Sequence, residues 1–473
     1  PDHTLSLHSL VAADDFVFIE PGHDAHADFS DVYLWARGQS RFGPNVNLET
    51  VVSIGKLWEK GQDDANSPEG VQYAHHTKTY RFYDIKQSVE IRPNSRWRAA
   101  WGWSVRNDET QMAFLGAGEV YFLLSPTYDT YRTHRLDADY SLRGKHKSVF
   151  TSHQMTVNDR LSTEIGLRYD IVDLSDDNLW SPRVSARYQL GTKTALRAAW
   201  GFYFQPQESY QLDIQDDSLV FSDAERSEHV IAEFEQGLGQ SAMLALRGYR
   251  KITDNPRPRY RDWANRIDLY DELLASSYRI ACDHAVSEGL ELSLQSSEQA
   301  TLTWQASYTL ARFTEHVTDV TFLSFRPRQL NDDRPSPFDQ RHTVYLDAEY
   351  RLSPIWQINV AWQYHSGRPY SKPQFNWDYY DNPDVSFYDL GELNAERYPA
   401  SHRLDLRITR SFTSSWGRFA AFLEVINLYD HQNVRAYSYD VVNYGENDYR
   451  LLTKTWYWLG IVPSVGIRWT WGG

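Results

Sequence analysis

Two stretches of this chain bring together side chains that could hold a ligand. Pro256-Arg257-Pro258-Arg259-Tyr260-Arg261-Asp262-Trp263 sets guanidinium groups among aromatic rings, a combination that takes anions by charge and planar groups by stacking. Asn376-Trp377-Asp378-Tyr379-Tyr380-Asp381-Asn382 mixes flat aromatic faces with carboxylates, which suits planar or sugar-like ligands. The candidate ligand contacts are therefore Arg257, Arg259, Tyr260 and Trp263 in the first stretch and Trp377, Tyr379, Tyr380 and Asp381 in the second. Each stretch also has a purely structural reading: the arginines can pair with acidic residues nearby, and the aromatics can pack a loop onto its neighbours.

Other chemistry finds no footing. The chain has no Gly-x-Ser-x-Gly elbow, no His-Glu-x-x-His and no phosphate-binding glycine loop, the motifs that would seat a nucleophile, a catalytic zinc or a nucleotide. With 63 Asp and Glu, carboxylate pairs arise by chance and do not argue for a glycosidase, so no enzyme is expected. Cys282 is the single cysteine; it excludes an internal disulfide, and with no Cys/His cluster beside it in sequence a structural zinc site is not expected either. Asp176-Asp177 and Asp381-Asn382-Pro383-Asp384 lack the spacing of a calcium loop. No metal and no cofactor is expected. A net charge of -15 disfavours nucleic acid, whose phosphates would be repelled, and argues against a basic membrane-surface anchor.

The elements that must carry the two stretches are strands. Leu404, Leu406 and Ile408 alternate with Arg403, Asp405, Arg407 and Thr409; Ile358, Val360, Trp362 and Tyr364 alternate with Gln357, Asn359, Ala361 and Gln363. Leu302 to Tyr308, Leu290 to Leu294 and Ile165 to Tyr169 repeat the pattern, as half-buried strands require. The chain is 15% aromatic, with 17 Trp and 31 Tyr, yet its mean hydropathy is -0.60. No run approaches the roughly 20 apolar residues of a membrane helix. Aromatic-rich but hydrophilic is what a transmembrane barrel looks like, because only alternate residues meet lipid.

Three features separate this from a soluble sheet. Amphipathic segments such as 302–313 and 341–352 have the length of tilted membrane strands. Short turns at 93–95, 158–160, 191–193, 237–239, 296–298, 352–354 and 413–415 alternate with long polar connections near 107–145, 205–226, 253–283, 314–339, 367–399 and 430–454, the outer-membrane pattern with long loops outside the cell and short turns in the periplasm. Aromatics such as Tyr350, Trp356, Trp200, Phe202, Trp469 and Trp471 stand at stripe ends, where a girdle at the lipid interface belongs. Counting strands gives about 18, from one near residues 3–11 to one near 461–471, in one domain over 1–473.

The C-terminal Ser464-Val465-Gly466-Ile467-Arg468-Trp469-Thr470-Trp471 resembles the signal that delivers outer-membrane barrels to their insertion machinery, with Ser464, Gly466, Trp469 and Trp471 at its marked positions. Upstream, Phe338 to Val344, Ser366 to Tyr370, His402 to Arg407 and Phe422 to Tyr429 resemble, in order, the late barrel of TonB-dependent receptors. That resemblance implies an all-β, antiparallel transmembrane barrel of 22 strands in which this chain supplies about 18. It also implies a plug domain and first strands preceding the chain in a longer protein. The implied function is uptake of a scarce nutrient, a siderophore-like chelate, vitamin or oligosaccharide, energised by TonB through the plug. The implied partners are outer-membrane lipid, the insertion machinery and a small-molecule ligand. A passive porin-like channel is the alternative.

Overall fold

Strict alternation leaves a strand one face for an apolar solvent and one for a polar one, and the sheet it builds here is close to continuous. The computed structural model describes residues 2–20, 23–67, 70–121, 131–212, 221–262, 277–296, 301–322, 328–375, 388–389, 391–443 and 449–471. Within them a sheet of 20 strands forms, antiparallel throughout, each strand laid against the next along the chain from His3–Glu20 to Val462–Thr470. Two of the twenty are continuations. Arg259–Asp262 shares the partner Ser277–Ser296 with Ala242–Asp254, and Arg328–Pro335 shares Leu302–Phe322 with His342–Arg351. The strands therefore follow eighteen tracks, the number read from the alternation. In the described pairings the first track meets only His23–Phe42 and the last only Gly417–Ile426.

Strand lengths correct the sequence reading. The first six strands run 18 to 26 residues, and the stretch 107–145, expected as a long loop, lies mostly in Trp97–Tyr121 and Tyr131–Thr156. One face of these extensions keeps a buried apolar cluster, Ala74, Met112 and Phe114 with Leu136, Ala138 and Tyr140, but the charged residues around it make the stretch read as loop by hydropathy. That cluster, the hairpin ladder and cross-strand pairs hold them, the pairs including Arg81 and Arg143 on either side of Glu109, at 3.9 and 3.2 Å. The stretch 430–454 likewise contains a separate hairpin, Val434–Asn443 with Tyr449–Tyr457. At the other end the short turns sit where expected. Asn158 Oδ1 accepts the backbone N–H groups of Arg160 and Leu161, each at 2.9 Å, and Ser353 Oγ accepts that of Trp356 at 3.1 Å, the local bonds that make Asn and Ser turn residues.

The two faces of the wall differ in kind. Outward stand Leu302, Tyr308 and Leu310, each about two-fifths or more exposed, with Leu290, Leu292, Leu346, Val360 and Leu423 on neighbouring tracks. From Leu302 to Leu310 is nine residues, which at about 3.4 Å per residue and a tilt near 40° covers roughly 20–25 Å, the height of the lipid-facing band. Above it charge begins: Arg250, Glu288 and Arg312 face one another across adjacent strands, as do Lys56, Arg81, Glu109 and Arg143. Below it Phe412, Phe419 and Trp469 stack in series and Arg410 lies over Trp356 at 5.4 Å.

Inward the same strands carry ions. Glu233 takes Arg247 Nε at 2.7 Å and Glu291 takes Arg247 Nη1 at 3.1 Å, while Arg197 reaches Glu235 at 2.8 Å. At Gly55, Gly102 and Gly466 a Cβ would fall 2.2 to 2.3 Å from the ring of the residue opposite, Phe82, Phe150 and Phe422. Each glycine is thus a seat for an aromatic ring, which covers the bare backbone.

Candidate ligand site at the long-hairpin end

The basic stretch becomes a strand at the rim, and alternation sorts its side chains. Arg259 and Arg261 stand opposite Ile280 and Tyr278, whose side chains are buried on the inner face with Val317, Val320 and Leu393. Tyr260, between them, belongs to the other face. Arg259 pairs with Glu315, which also accepts Ser336 Oγ at 2.9 Å and stands opposite Arg334 on the next strand. Arg334 reaches Asp332 at 2.8 Å. Among the described residues the Nε groups of Arg259 and Arg334, and of Arg279 on the other face, are nevertheless buried without an acceptor, and an unmet buried donor costs about 1–3 kcal/mol. Three guanidinium groups, Arg259, Arg261 and Arg334, thus point inward together, with Glu315 the ion partner of Arg259 and Asp332 and Glu392 those of Arg334.

Tyrosines from two other segments come together at this end. Tyr370 and Tyr398 stack at 4.5 Å between ring centres, and Tyr437 meets both, at 5.3 and 5.2 Å. Tyr370 and Tyr439 are hydrogen-bonded, and Tyr439 is 3% exposed. Burial raises the phenol pKa of Tyr370, Tyr398 and Tyr439, so all three remain neutral donors. The charge of Arg261 acts on Tyr398, which ties the two groups into one region. Desolvation lowers the Arg261 guanidinium from its usual value, and Phe338 lies under it at 5.9 Å. Burial, with Glu315 nearby, pushes the Cys282 thiol up to about 11, which keeps it protonated and unreactive.

Arg257 is engaged differently. Its backbone N–H donates to Glu225 at 2.8 Å and its Nη1 to Gln211 Oε1 at 2.6 Å. Gln211 ends the short 3-10 turn Ser209–Gln211, which rests on the inner wall: Thr110 and Ser209 hydroxyls meet at 2.5 Å, Tyr80 packs on Tyr210 at 4.9 Å, and Arg106 pairs with Glu208.

The structure thus brings Arg257 and Arg259 to this end and turns Tyr260 away from Arg259. Trp263, Trp377, Tyr379, Tyr380 and Asp381 lie outside the described residues. The sequence reading missed Arg334 and the Tyr370, Tyr398, Tyr437 and Tyr439 group. No local signal could have found them, because Arg334, Tyr370, Tyr398 and the Tyr437/Tyr439 pair stand tens of residues apart and only the folding of the connections unites them. At the C-terminus, Val465, Ile467, Trp469 and Trp471 are exposed on one side, Ser464 and Gly466 stand opposite Glu424 and Phe422, and Trp469 Nε1 donates to the Trp416 carbonyl at 2.8 Å.

Comparison with known proteins agrees with this architecture. A family described as TonB dependent receptor-like, beta-barrel matches residues 14–428. Among solved structures, the chain is similar to the siderophore receptor PiuA from Acinetobacter baumannii, with TM-score 0.62, 10% identity, 94% of this chain and 64% of that one covered. It is similar to the ferric yersiniabactin uptake receptor FyuA from Yersinia pestis, with TM-score 0.60, 12% identity, 95% and 62% covered. It is also similar to BauA, the ferric preacinetobactin receptor from Acinetobacter baumannii, with TM-score 0.56, 9% identity, 98% and 72% covered. At these identities the likeness is one of fold. No curated protein matches the chain.

Proposed function

We propose, on the premise that this chain belongs to the TonB-dependent receptor β-barrel family, that it forms the wall and ligand mouth of a receptor importing a scarce anionic nutrient, a metal chelate of the siderophore kind. The family is one of the outer membrane, and the apolar band and aromatic girdle fit lipid there. In this reading the long-hairpin end faces outside, the short turns face the periplasm, and TonB supplies energy through a plug domain seated in the ion-lined lumen. The terminal Ser464, Gly466, Trp469 and Trp471 would be read by the insertion machinery.

The observation that carries the ligand class is the pair of buried, unmet Nε donors of Arg259 and Arg334 at the end where the tyrosines stack. Planar anions satisfy guanidinium donors, and aromatic faces hold their rings. A vitamin or oligosaccharide without an anionic group would offer those two Nε donors no charged acceptor. The passive channel has no observation in its favour.

The test is binding of a ferric tris-catecholate, which is anionic, against a neutral ferric trihydroxamate, followed by tryptophan quenching in detergent. Arg259→Ala and Arg334→Ala should each weaken the anionic chelate by about 10-fold or more, since a charge-assisted bond contributes roughly 1.5–3 kcal/mol. Equal affinity for the neutral chelate, with the arginine variants unchanged, would refute the assignment.

A further inference from the structure

On the opposite side of the same strands, facing away from the lumen, two histidines meet. His284 on Ser277–Ser296 stands directly across from His316 on Leu302–Phe322, and their rings stack at 5.0 Å with an 8° tilt. Each has a carboxylate on its Nδ1 at 2.8 Å: Asp283 for His284 and Asp333 for His316. Consecutive residues of a regular strand point to opposite faces, so Asp283 and His284 would ordinarily be separated. The pairing shifts register between Cys282 and His284. That bulge leaves Asp283 without a partner across the ladder and re-aims it beside His284, while Cys282 faces the lumen with Ile280.

We infer that Asp283, His284 and His316 form a binding site for a divalent transition-metal ion of the Zn2+ class. One donor atom from each lies within 4.8 Å of the others. Bonds of about 2.0–2.1 Å set tetrahedral donors roughly 3.3 Å apart, so an imidazole must turn out of the present stack for both nitrogens to face one ion. Two imidazoles and one carboxylate with an open fourth position is a donor set that zinc accepts. Asp333 takes the Nδ1 of His316, leaving Nε2 as its donor; a carboxylate in that place fixes ring orientation and raises basicity.

Accessibility and field agree. The side chains of Asp283, His284 and His316 are 56%, 41% and 28% exposed. Asp283 and His284 line an open groove of about 940 Å3 that also presents Asp177, Asp223 and Asp254, of which Asp254 is paired with Arg226. The surplus of carboxylates draws cations toward the site. The inference does not depend on which nutrient the lumen takes.

The experiment is calorimetric titration of the tag-free chain, folded in detergent and stripped with EDTA, with Zn2+ alone. One saturable ion per chain is expected, with His284→Ala and His316→Ala each weakening it at least tenfold. Asp333→Asn, which leaves every ligand in place and so guards against a merely misfolded variant, should weaken it by about 10-fold. The other stacked pair, His402 and His431 at 3.8 Å, is the control: His402→Ala should leave the titration unchanged. Absence of a saturable one-to-one event overturns the site, as does undiminished binding by the His284→Ala/His316→Ala double variant with an unaltered folded-band gel shift.

Discussion

Replacing Gly466 with alanine should destabilise the barrel, and the same replacement should stabilise it once Phe422 is gone. A Cβ at residue 466 would lie 2.3, 2.6 and 3.1 Å from Cζ, Cε1 and Cε2 of Phe422. Carbon atoms rest at about 3.5–4.0 Å, so the ring must retreat by more than 1 Å, roughly. It is held from its other side, because Arg407 lies over it at 3.9 Å. Overpacking of this kind costs about 1–3 kcal/mol, and a weakened cation–π contact adds roughly 0.5–1 kcal/mol. Alanine returns about 0.4–1 kcal/mol by restricting the unfolded chain. The balance is about 2 kcal/mol of destabilisation. In a Phe422→Ala background only the last contribution survives, so the sign reverses to a gain of about 0.4–1 kcal/mol. Urea unfolding of barrels refolded into detergent measures this without involving cellular insertion. A Gly466→Ala effect of the same sign and size in both backgrounds would show that the ring seat is not what the glycine provides.

Two further outcomes test the two faces of the wall. Leu292→Arg, on the outward face near mid-band, should cost about 2–4 kcal/mol when the barrel is folded into bilayers; a cost near zero in the same urea titration would remove Leu292 from the lipid surface. On the extended hairpins, the Glu59 carboxyl is held below the usual carboxylate range by its hydrogen bond from His76, with Lys78 assisting against desolvation. A depressed carboxylate stabilises the fold above its unfolded pKa and loses that contribution as pH falls through the folded one. Acid unfolding below about pH 4.5 should therefore be steeper in the native chain than in His76→Ala, and identical profiles would refute the pairing.

Much of the fold was legible because a membrane barrel writes its geometry locally. Each strand needs only alternate apolar residues and a turn at one end, so the tracks, the short turns around Asn158 and Ser353, and the outward stripe ending in Trp469 and Trp471 could be read from neighbouring residues. Hydropathy failed at 107–145, where the outer face is charged and the apolar cluster of Met112 and Phe114 with Leu136, Ala138 and Tyr140 forms only when the neighbouring strands pair.

The chemistry at the rim followed a different logic. The sequence by itself determined that Arg257, Arg259 and Arg261 recur at every second position, and alternation then dictated that Arg259 and Arg261 share a side. Which carboxylate answers them, that Arg334 joins them, and that Tyr370, Tyr398 and Tyr437 meet are matters of which tracks lie adjacent and how two connections fold back. The same holds for Asp283, His284 and His316: beside Cys282 the sequence offers only one histidine, and the second arrives from 32 residues along the chain through the antiparallel register. Cross-strand neighbours are set by register and bulges, which depend on the whole ladder of hydrogen bonds and are not encoded at any single position.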